Sequence, residues 1–159
     1  MVAVIGVIAA VAVPSLLRAR ISANETAAVS SMRAINSAQA SYSATIPGGA
    51  YAVRLATLAI ACPGSNQPFI SADLSTDPSF KSGYRVELQP AAGAPAGPND
   101  CNGNGTREGF YSTAVPISPG ISGHKGFASN SAGAIYFDIS GVAPTEAAMA
   151  PSGGGEVIR

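Results

Sequence analysis

Residues 1–13 carry no charged or polar side chain, and after Pro14 and Ser15 the apolar run resumes at Leu16 and Leu17 before Arg18 and Arg20. From Ile21 the pattern becomes one of spacing. Ile21, Ala28, Ile35 and Tyr42 recur every seventh position, and Val29 and Met32 widen the stripe. That repeat places them on one face of a helix, with Glu25, Arg33 and Asn36 expected elsewhere on its surface. No glycine or proline interrupts residues 15–46, and Ile46-Pro47-Gly48-Gly49 then supplies the stop. The spacing predicts one helix from residue 1 to about residue 45, roughly 65 Å long at 1.5 Å per residue. A small domain cannot cover that length, so one half is expected to protrude into a membrane or against other copies.

The apolar start admits several readings. It falls short of the roughly 20 apolar residues that cross a bilayer, and a buried core helix is the plain alternative. A signal peptide is another: Ala10-Val11-Ala12 fits a cleavage site, but the basic residues follow the apolar stretch instead of preceding it. Gly6 and Pro14 weaken a helix in water, because proline removes the bond to the carbonyl of residue 10. Within a bilayer or a helix bundle, neighbours can satisfy the freed carbonyl. These two residues therefore favour a membrane or bundle setting.

Beyond Pro47 the period shortens. Tyr84, Val86 and Leu88 alternate with Arg85, Glu87 and Gln89, the mark of a half-buried strand. Residues 110–116, 125–129 and 134–139 read as three more strands, and Asn130-Ser-Ala-Gly133 as the hairpin joining the last two. Residues 55–61 form a short apolar stretch, either a helical turn or an irregular loop. Residues 90–105, rich in proline, glycine and asparagine, read as loop. The expectation is an α+β chain, with an assembly helix over residues 1–46 and a head over residues 47–159 built on a four-stranded antiparallel meander.

Composition narrows the function. The 159 residues contain 9 Lys+Arg and 9 Asp+Glu, and only 11% are charged against 47% hydrophobic. With no basic excess to neutralise phosphates, a nucleic-acid partner is not expected. Weak self-repulsion at zero net charge favours association. One histidine and two cysteines cannot build a histidine-rich metal centre within one chain. No G-x-S-x-G is present, and His124, between Gly123 and Lys125, has no acidic neighbour in sequence. An enzyme is the weakest reading, and no cofactor is called for.

The segment Val4-Ile-Gly-Val-Ile-Ala-Ala-Val-Ala-Val-Pro-Ser-Leu-Leu-Arg-Ala-Arg-Ile-Ser-Ala-Asn-Glu25 resembles the N-terminal helix of type IV pilins and of type II secretion pseudopilins. Gly6 and Pro14 match that helix's glycine and proline, and the likeness continues to about residue 40. The resemblance implies a pilin-like fold and a homo-oligomeric helical filament. It further implies residence in the bacterial inner membrane before assembly, with the head in the periplasm. A prepilin peptidase and an assembly machinery are then the expected partners. Members also carry a basic leader ending in glycine, a methylated aromatic residue and an early glutamate, which places about eight mature residues upstream of Met1. A pseudopilin of the secretion system is the nearest rival reading, and an exported soluble binding module a further one.

An exported head sits in an oxidising compartment, so Cys62 and Cys101 are most simply a pair. Asp100, Asn102 and Asn104 open like a calcium loop, with Glu108 at its ninth position, but Tyr111 occupies the twelfth, where a glutamate is wanted. A turn-rich connection is the competing explanation. Residues 103–109 only approximate a dinucleotide fingerprint and read as loop. Arg18, Arg20, Glu25 and Arg33 begin where the apolar run stops. They are expected either to face solvent or the membrane interface, or to pair between neighbouring subunits and set register.

Overall fold

The computed structural model describes residues 2–150, 153 and 155–158, with side chains from residue 14 onward. It opens with the helix α1, Val2–Ser43, which runs through Pro14 without ending. The seven-residue stripe is buried throughout: Ile21, Ala28, Ile35 and Tyr42 are 8%, 2%, 0% and 1% exposed. The helix stops slightly before the expected boundary, and Gly48 and Gly49 follow with φ of 91° and 77°, conformations open to glycine at little cost. A short second helix, α2, Leu55–Leu58, buries both leucines against α1. This settles the 55–61 stretch as a helical turn.

The main sheet has six antiparallel strands instead of the four expected. In chain order these are β1 (Ser79–Lys81), β2 (Tyr84–Pro90), β5 (Phe110–Pro116), β6 (Gly126–Asn130), β7 (Ile135–Asp138) and β8 (Glu156–Val157), each paired with the next. Two short strands, β3 (Ala96–Gly97) and β4 (Thr106–Arg107), form a separate ribbon inside the long β2–β5 connection. The four expected strands are β2, β5, β6 and β7. The two additions lie at the sheet's edges, where three and two residues suffice to pair.

One face of the sheet packs on α1. Tyr84, Val86 and Leu88 of β2, with Ala114 of β5 and Phe127 of β6, join Met32, Ile35 and Tyr42 in a single core. The other face carries a smaller cluster of Tyr111, Ala128 and Met149, covered by the chain after β7. Double coverage explains why β5 is buried at successive positions where β2 alternates.

Candidate functional site: the two ends of the helix

From Asn24 to Tyr42 the helix is bolted to the head by polar side chains. Asn24 Nδ2 donates to the Ser122 carbonyl at 2.9 Å, and the His124 amide donates to Glu25 Oε1 at 2.9 Å. Asn36 donates to the Gly133 carbonyl and accepts from Ser129 Oγ. Gln39, fully buried, donates to the Ala52 carbonyl at 2.8 Å and accepts from the Ala52 amide at 3.0 Å. A buried amide with both ends matched to one backbone unit fixes register as well as orientation. Glu25 and Asn36 thus serve the helix–head joint, whereas the stripe alone assigned them to open surface. Among the described residues no buried side-chain nitrogen or oxygen lacks a partner.

At the base of the head, Tyr84 donates its hydroxyl to the Lys125 carbonyl at 2.9 Å. Burial, followed by the charge of Glu25, pushes its phenol well above the ordinary range. Gly123 lies so close that a Cβ there would overlap the Tyr84 ring. His124 is exposed, and its role in the joint runs through its backbone.

At the far end of the helix, Tyr42 donates to Asp100 Oδ2 at 2.9 Å. The same carboxylate accepts from the amides of Asn102 and Asn104 at 2.9 and 2.7 Å, and from Asn104 Nδ2 at 3.0 Å. Burial alone raises the Asp100 pKa. The Asn104 side chain and amide, Tyr42 and the Asn102 amide outweigh burial and hold it below the usual carboxylate range. Tyr42 is raised by burial first and by Asp100 second. Asp100 therefore works as the hub of a loop latch, with four donors on its two oxygens. Asn102 and Glu108 are exposed, and among the described residues no three His, Cys, Asp or Glu side chains are grouped to hold a metal ion.

Cys62 and Cys101 form a disulfide with Cα atoms 5.5 Å apart, tying the segment after α2 to the Asp100 loop. A sequence separation of 39 residues corresponds to about 4 kcal/mol in the chain-entropy account.

Below Ile21 the helix changes character. Every residue from 14 to 20 is exposed, including Leu16 at 71% and Leu17 at 47%. The ion pairs among the described residues are Lys81–Asp73 at 2.5 Å and Arg85–Glu87 at 3.2 Å, so Arg18, Arg20 and Arg33 have none. Gly6 lies within the helix, in the stretch 2–13 whose side chains fall outside the described ones, as does the bulk of the apolar run. Among the described residues, no helix is long and apolar enough to cross a membrane. Comparison with family models, with curated proteins and with solved structures finds no match for the chain.

Proposed function

We propose that this chain is a structural subunit of a type IV pilus or pilus-like filament. The observation that carries the reading is a helix of 42 residues whose buried stripe begins at Ile21, with residues 14–20 of the same helix all exposed. Exposed leucines, and arginines with no ion-pair partner among the described residues, call for partners on this long helix, and identical copies laid side by side supply them. The resemblance of residues 4–25 to the pilin helix adds the route: parking in the inner membrane, release after leader cleavage, and exchange of lipid contacts for helix contacts in a filament core. The membrane stage rests on that resemblance alone. A disulfide-braced head suits an oxidising exterior.

Expression from the native locus, followed by electron microscopy of the cell surface, tests the reading. Fibres that bind antibody against the head are expected, and they disappear when the gene is deleted. Short periplasmic fibres in place of surface ones would move the chain to the secretion pseudopilins. A soluble monomer as the only exported form would overturn the subunit reading.

A further inference from the structure

A second surface complements the bare helix in charge. Where β7 runs past its short pairing with β8, the chain folds back and leaves an open groove of about 670 Å³. Its apolar lining comes from Phe137, Ile139, Val142 and Ala143, and its charge from Asp138 and Glu156. Ile139 is 75% exposed and Val142 64%, unusual for branched apolar side chains beside a sheet edge. Asp138 engages the Ser140 amide at 2.7 Å, and neither carboxylate has an ion-pair partner among the described residues. No described side chain of α1 lines the groove.

The bare helix offers the complement. At about 100° per residue, Leu16, Arg20 and Leu17 share one face roughly 100° wide. Leu17, about 40° from Ile21 on the helix, continues the stripe that the head covers, while Arg20 and Leu16 lie beyond it on the side, in a region that the head does not reach. An apolar pair with an adjacent cation fits an apolar groove rimmed by carboxylates, the usual way an amphipathic helix is received. The volume lies within the range of small-ligand pockets, about 300–1,000 Å³, which suits a few side chains and not a whole domain. A membrane surface is a poorer occupant, because anionic headgroups would face Asp138 and Glu156.

We infer that this groove receives Leu16, Leu17 and Arg20 of a second copy of the chain. The inference rests on the filament reading and names one contact within it. Each subunit gives its helix to one neighbour and its groove to another, an open head-to-tail contact that propagates instead of closing as a dimer.

The test uses the full chain in its own host, with Leu16→Cys and Val142→Cys combined. Oxidised fibres dissolved in detergent without reductant are expected to run as a ladder of covalent multimers. Fibres that yield only monomers overturn the docking while leaving the filament reading intact, and absence of fibres from the unaltered chain overturns both. A cysteine-free pair guards against misfolding. Asp138→Lys with Glu156→Lys is expected to lower fibre yield about two- to fivefold, the scale of exposed charge pairs, and Arg20→Glu is expected to restore it. Unchanged yield, or no rescue, overturns the contact. So does membrane protection of a label at position 142 in cells whose fibres show no ladder.

Discussion

Residues 21–43 and residues 14–20 belong to one continuous helix, yet only the first stretch is packed against the rest of the chain. In the upper stretch the apolar stripe is sealed by the sheet, and Asn24, Glu25, Asn36, Gln39 and Tyr42 each bond to a named group of the head. In the lower stretch two leucines stand in the open and two arginines lack an ion-pair partner among the described residues. The difference teaches where stability and association reside. The upper half is buried against the head, and the lower half is left exposed, which is where the filament reading proposed above places its contacts.

Substitutions along the helix can break that division. Ile35→Ala removes a fully buried stripe residue and is expected to cost about 2–5 kcal/mol in urea unfolding. A loss under about 1 kcal/mol would mean that the stripe is not the seam of the core. Gln39→Leu leaves the Ala52 amide and carbonyl without their partner, with an expected loss of about 2 kcal/mol. Proton exchange at the Ala52 amide should quicken in the same variant.

Asp100→Asn is expected to cost about 1–2 kcal/mol near neutral pH by weakening the latch under Tyr42. Because the folded pKa of Asp100 is depressed, its contribution is complete above the unfolded carboxylate value, about 3.9, and fades as pH falls through the folded value. Denaturant midpoints measured from pH 6 down to pH 2 should therefore fall less steeply for the variant than for the parent chain. Parallel curves would remove Asp100 from the acid response. The smallest effect belongs to the bare half: Leu16→Ala is expected to change monomer unfolding by less than about 0.5 kcal/mol while reducing fibre yield. A destabilised monomer would show that residues 14–20 already serve the fold.

Much of this division is legible in the chain itself. Ile21, Ala28, Ile35 and Tyr42 announce their face because a seven-residue interval survives any detail of the head. Strands β2, β5, β6 and β7 are visible because each runs four residues or more with apolar content. The edge strands are not, since Ser79–Lys81 and Glu156–Val157 are too short for alternation to register. Gln39 and Asn36 look like ordinary polar helix positions, because a side chain's polarity does not say which distant carbonyl it meets. Asp100 resembled a cation ligand for a related reason. A carboxylate among asparagines and glycines suits both a metal loop and a hydrogen-bonded turn, and local pattern does not show the Tyr42 hydroxyl and the two amides that meet it. The groove beside β7 leaves no trace in local pattern, since it is made by a fold-back across the sheet edge.

The disulfide has a mechanical meaning for any chain that works under tension. A pull between the helix and the end of the head would bypass the loop closed by Cys62 and Cys101, which are 39 positions apart, because the covalent link carries the load across it. At about 3.4 Å per extended residue, roughly 130 Å of contour stays locked away. Stretching single molecules before and after reduction should release that length as added extension, making the two sulfurs a limiter on how far a strained head can pay out its chain.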